Sequence, residues 1–106
     1  GPDAAEGRGM SHFAYRILPP RADFAATLTP GESETMGRHF DYIKVLHGEG
    51  RIVFVGRTEN GDWGLCVFEA EDEDRARAVA EADPAVAAGL MRYELHPFRT
   101  VIERGA

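Results

Sequence analysis

His39 and Asp83 are the residues of this 106-residue chain whose types could together move a proton. His39 lies in Met36-Gly37-Arg38-His39-Phe40-Asp41-Tyr42-Ile43, a stretch of helical periodicity, and an Asp83-Pro84 turn follows much later. A carboxylate on one imidazole nitrogen fixes the tautomer and makes the other nitrogen more basic. Such a histidine can take a proton from carbon or from a hydroxyl and return it elsewhere. The same residues allow a plainer arrangement, with Asp83 capping the backbone N–H of Ala85 or Val86 and His39 filling the margin of a buried stripe. Arg16 and Arg92 fall on strands in opposite phase to Tyr15 and Tyr93. They could point together into the dimer-side cavity and hold an anionic or phenolate substrate, or pair with Glu94 or Glu69 as structural ion pairs. Trp63 could stack on an aromatic substrate or pack across a hairpin, and Tyr42 could donate a hydrogen bond near His39 or simply pack. The four histidines, His12, His39, His47 and His96, have no local ligand spacing, so neither a metal nor another cofactor is expected.

The elements that must position these groups are legible from pattern. Phe13, Tyr15 and Ile17 alternate on one face of a first strand that Pro19-Pro20 stops, and residues 20 to 28 read as an ordered loop that could cover a site. Thr29-Pro30-Gly31-Glu32 is a capped helix start. The helix should bury Met36, Phe40, Ile43 and His47, with Leu46 beside the last and Gly48 to Gly50 ending it, which leaves His39 at the edge of the buried stripe. Residues 51 to 58 and 63 to 70 form a hairpin around Glu59-Asn60-Gly61-Asp62. The acidic run Glu71 to Asp74 starts a second helix, Asp83-Pro84 breaks it, one helical turn follows to Gly89, and residues 90 to 98 return as a fourth strand. Residues 99 to 104 could add an edge strand. The order β, α, β, β, α, β is that of an α+β, ferredoxin-like domain with four antiparallel strands and both helices on one face.

Ile52-Val53-Phe54-Val55 and Leu65-Cys66-Val67-Phe68 are apolar at every position, so the other sheet face also needs a cover, and a second copy of the chain is the simplest one. A homodimer is expected. The net charge of −6 argues against nucleic acid, no apolar run is long enough to span a bilayer, and the lone Cys66 reads as a buried, unreactive thiol. A cytoplasmic setting follows by default. Gly1-Pro2 reads as a scar of tag removal, so residues 1–9 are set apart from a single domain over residues 10–106.

Phe13 to Arg16, His39 followed by Tyr42, Gly50, Gly56, Trp63-Gly64, Glu69-Ala70, Asp83-Pro84, Gly89, Tyr93-Glu94 and Pro97 together resemble the YCII-related family. The resemblance covers nearly all of residues 10 to 104. It implies a ferredoxin-like subunit assembling as a dimeric α+β barrel, with an active site on His39 and Asp83. Arg57 follows Gly56 where the family often has proline, so contacts at that edge are expected to differ. The expected function is that of a small cofactor-independent enzyme using the His39–Asp83 pair to isomerise, eliminate from or hydrolyse a small cyclic or aromatic compound. The alternative is a non-catalytic dimeric module that binds a small molecule. Removing the His39 ring is expected to leave the melting temperature nearly unchanged.

Overall fold

Thr29 opens the helix that carries His39. Its hydroxyl accepts the Glu32 N–H at 3.2 Å, and the Glu32 carboxylate accepts the Thr29 N–H at 2.9 Å, so two backbone donors that the helix cannot satisfy are paired reciprocally. In this computed structural model, which describes residues 10–105, helix α1 runs Pro30–Gly48, and the chain turns away at Gly50 with φ of +74°, where a side chain would be strained. The expected tag remnant over residues 1–9 lies outside the described residues.

The buried stripe of α1 is Thr35, His39, Ile43 and Leu46, one position round from the expected one. Phe40 and His47 are exposed, and His39 is 7% exposed in the middle of the stripe rather than at its margin. Phe40 stands exposed beside a hollow that His39 and Ile43 also border, and Met36 packs half-buried against Phe24, Ala85 and Met91. Hydrophobic periodicity alone does not distinguish those two surroundings.

Four strands, β1 Ser11–Leu18, β2 Ile52–Arg57, β3 Gly64–Ala70 and β4 Arg92–Phe98, form one sheet in the order β2-β3-β1-β4 with every neighbouring pair antiparallel. Helix α2, Glu73–Ala82, starts at Asp72, whose side chain accepts the Arg75 N–H at 2.8 Å. The short α3, Pro84–Ala87, follows it, and the whole has the α+β, βαββαβ-like arrangement that the element order implies. Both longer helices pack on one sheet face. Phe13, Tyr15, Cys66 and Phe68 from the strands meet Ile43 and Leu46 of α1 and Ala76 and Ala80 of α2 in one core. The alanines let α2 approach the sheet closely. The alternate residues, among them Ala14, Arg16, Leu65, Val67 and Phe54, occupy the outer face. Residues 99 to 104 form no strand. A strand needs a hydrogen-bonded neighbour, and this tail leaves the sheet with Val101 and Ile102 86% and 90% exposed.

The segment between β1 and α1 is held in place by Arg21. Its guanidinium donates to both Glu32 oxygens at 2.9 and 2.8 Å, to the Thr27 hydroxyl at 2.9 Å and to the Thr27 carbonyl at 2.6 Å. Phe24, in a 3-10 turn at Phe24–Ala26, is thereby pressed against Ala85 and Met91. The Arg21 bonds, followed by the Thr29 N–H, hold the Glu32 carboxyl down at about 2 from its ordinary 4.5. A depressed acid stabilises the fold above its unfolded pKa and loses that contribution as pH falls through its folded one. The parent should therefore outlast Glu32→Gln in urea most clearly above pH 4.5, and the two denaturation midpoints should converge as pH approaches 2. A constant gap down to that pH would mean that the Arg21 bonds do not set the ionisation of Glu32.

Candidate active site

Asp83 is fully buried, and its burial is tolerable because donors from three elements converge on it. The Ala85 N–H reaches Oδ1 at 3.0 Å, which makes Asp83 the cap of α3. The Tyr15 hydroxyl, from β1, donates to Oδ2 at 2.9 Å. His39 Nδ1, from α1, lies 2.7 Å from Oδ2 and 2.9 Å from Oδ1. The capping and histidine-orienting arrangements, alternatives at the level of sequence, are thus both present on one carboxylate. An ionised Asp83 can only accept, so the short contact places a proton on Nδ1 and leaves Nε2 of a neutral ring as the lone-pair nitrogen.

That second nitrogen has no hydrogen-bond partner among the described residues, and its ring borders a cavity of about 390 Å³ between the helix face of the sheet, α1 and the 19–28 segment. The volume falls within the roughly 300–1,000 Å³ usual for ligand pockets. Its walls are mainly apolar: Ile17, Phe24, Leu28, Met36, Phe40 and Met91 all contribute. The β2–β3 hairpin forms the rim through Arg57, Glu59, Asn60, Gly61 and Trp63. Gly61 comes so close to the 3-10 turn that a Cβ there would lie 3.0 Å from Ala25 Cβ, so the hairpin tip and the turn meet beside the opening.

The structure brings His39, Asp83 and Trp63 to this region and places the other expected substrate contacts elsewhere. Arg16 and Arg92 do not line the cavity. Arg16 is on the outer sheet face, 3.3 Å from Glu94, with its guanidinium 4.7 Å above the Trp63 ring, and Arg92 is exposed at the start of β4. The strand phase that puts Tyr15 beside α1 necessarily sends Arg16 to the opposite side. Tyr42 does not reach the cavity either; its hydroxyl donates to the Val79 carbonyl of α2 at 2.9 Å. Arg57 is the cationic side chain at the rim, and its guanidinium is turned onto the Thr58 and Glu59 carbonyls, both at 2.9 Å. Cys66 lines the wall as a thiol pushed up to about 12, by burial first and the nearby Asp83 charge second, which makes it a poor nucleophile. Among the described residues no group of three or more His, Cys, Asp and Glu side chains could hold a metal ion.

Tyr15 is the site residue that the sequence reading missed as a participant. The signal was present: a tyrosine on the inward phase of a central strand needs a buried acceptor for its hydroxyl.

The model of the YCII-related domain matches residues 20–99, most of the chain and both members of the His39–Asp83 pair. The chain belongs to the YCII-related family. No curated protein sequence matches it. Among solved structures, this YCII-related domain is similar to 5-chloro-2-hydroxyhydroquinone dehydrochlorinase (TftG) from Burkholderia phenoliruptrix AC1100, in complex with 2,5-dihydroxybenzoquinone. The TM-score is 0.62 at 19% identity, covering 85% of this chain and 93% of that one, which supports the fold. An uncharacterised NIPSNAP-like domain protein from Burkholderia xenovorans aligns at a TM-score of 0.41 and 18% identity over 90% of this chain and 89% of its own, too loosely to carry an argument. No helix among the described residues of the YCII-related domain is long and apolar enough to cross a membrane.

Proposed function

We propose that this YCII-related domain is a small enzyme that moves a proton on an uncharged, hydroxylated ring compound, with His39 Nε2 as the acid–base atom and Asp83 holding the ring in its tautomer. The observation that carries the reading is the unbonded Nε2 at an apolar cavity, on an imidazole whose other nitrogen is 2.7 Å from a fully buried carboxylate. The reaction class is isomerisation, elimination or hydrolysis, in which one group takes a proton and later returns it. The structural likeness to an enzyme named as a dehydrochlorinase supports the elimination branch.

The preference for an uncharged ring follows from where the cations are. Arg16 and Arg92 are off the cavity, Arg21 is committed to Glu32 and Thr27, and Arg57 to two carbonyls. A carboxylate entering these apolar walls would be desolvated with little in return. Trp63 is the single tryptophan and stands at the rim, so its fluorescence reads occupancy directly. Methyl hydroxybenzoate should quench it saturably, and hydroxybenzoate should bind at least tenfold more weakly. Tighter binding of the acid would overturn the charge preference, and binding without turnover of any ring in a substrate panel would leave a binding module in place of an enzyme.

A homodimer belongs to the same reading. The outer sheet face carries Phe54 at 48% and Phe98 at 42% exposure with no helix over it among the described residues, and the dimer expected of the family would cover it. A cytoplasmic setting fits a domain whose lone cysteine is a buried thiol.

A further inference from the structure

Asp83 is shared between His39 and a residue to which the proposed chemistry gives no part. The Tyr15 ring is fixed by two edge contacts, to Phe68 at 6.5 Å and 89° and to Tyr93 at 6.1 Å and 74°, so its hydroxyl is aimed rather than swinging. The hydroxyl ends 2.9 Å from Oδ2, the same oxygen that His39 Nδ1 approaches at 2.7 Å. Two donors therefore compete for the charge on one carboxylate oxygen while Ala85 N–H holds the other.

We propose that Tyr15 is a positioning residue that sets the base strength of His39: by drawing charge from Asp83 Oδ2, it limits how firmly the carboxylate holds an imidazolium and so keeps Nε2 free to accept a proton. The inference rests on the acid–base reading of His39 given above. Electrostatics dictates the sign. A carboxylate that receives a second hydrogen bond is less basic and attracts a neighbouring cation less strongly. Tyr15 can fill this role at any working pH because burial first, and the Asp83 charge second, push its phenol far above the ordinary tyrosine value and keep it a donor. The other ionisable groups around the imidazole do not substitute for it. Cys66 is held as a thiol, Tyr42 is engaged with the Val79 carbonyl, and Arg57 and Glu59 stand at the rim.

The test is the pH at which the His39 ring takes up a proton, followed by NMR of the histidine ring protons in the parent, Tyr15→Phe and Asp83→Asn. Loss of the Tyr15 hydroxyl should move that pH upward by about half a unit, roughly a threefold change in proton affinity, whereas Asp83→Asn should move it downward. A purely structural tyrosine would lower the melting temperature and leave the titration in place. An unchanged or lowered midpoint in Tyr15→Phe, with Asp83→Asn still shifted, overturns the role of Tyr15 and spares the His39–Asp83 pair. An unchanged midpoint in Asp83→Asn overturns the pair itself. Should Tyr15→Phe fail to fold, 3-fluorotyrosine at position 15 gives the opposite arm: its phenol is a stronger donor and should lower the midpoint, and no change there rejects the proposal.

Discussion

Asp83→Ala should cost the domain about 3–5 kcal/mol, a large share of the roughly 5–15 kcal/mol by which domains of this kind are stable. The carboxylate is fully buried and is the acceptor for three donors: the Tyr15 hydroxyl from β1, His39 Nδ1 from α1 and the Ala85 N–H that opens α3. Alanine removes the acceptor and leaves all three in a site where water does not reach, and each unsatisfied buried donor carries a penalty of about 1–3 kcal/mol. The contributions are not additive, because the emptied site can relax or admit water. Asp83→Asn keeps one acceptor oxygen and the volume, so it should lose less than alanine does. Urea denaturation of the three proteins checks the order. A loss below about 1 kcal/mol for alanine would mean that Asp83 is not the joint between these elements.

The largest functional effect is expected at His39. His39→Gln should lower kcat by about 10²–10⁴, the range in which positioned acid–base groups contribute, while leaving ring binding at Trp63 nearly as in the parent. Glutamine is preferred to alanine because its amide N–H can still donate toward Asp83 while offering no nitrogen base. The sequence-level expectation that removing this ring spares the melting temperature does not suit a side chain that is 7% exposed and bonded to a buried carboxylate. His39→Ala should be measurably destabilised, so its rate would confound two effects. A His39→Gln rate within a few-fold of the parent, on any ring the parent turns over, would remove His39 from the chemistry.

Most of the scaffold was legible because it is written in local chemistry. Thr29, Pro30 and Glu32 announce a helix start whatever the tertiary context, Gly50 needs only its left-handed backbone, and period-two apolar residues place Phe13 and Tyr15 inward. The pair His39 and Asp83 was legible as two chemically capable residues joined by a resemblance, but their contact spans 44 positions and no local rule specifies it. What sequence could not distinguish was core from hollow. Phe40 fits a buried stripe by periodicity, yet it stands exposed beside a cavity, while His39 is buried against the carboxylate that Asp83 supplies. Opposite phase puts Arg16 on the outer sheet face, as the strand pattern implies, and the cavity beside His39 lies on the other face, against α1.

An uncharged ring is expected to sit against His39 Nε2 while Asp83 keeps hold of Nδ1. The measurement that addresses it directly is the pair of His39 imidazole nitrogen resonances, recorded as chlorohydroquinone is titrated into nitrogen-labelled protein. The Nε2 signal should move saturably, with the same midpoint as the Trp63 quench, while the Nδ1 signal keeps the signature of a protonated nitrogen. Saturable quenching of Trp63 with both His39 nitrogens unmoved would overturn that arrangement, because the ring would then be bound away from His39.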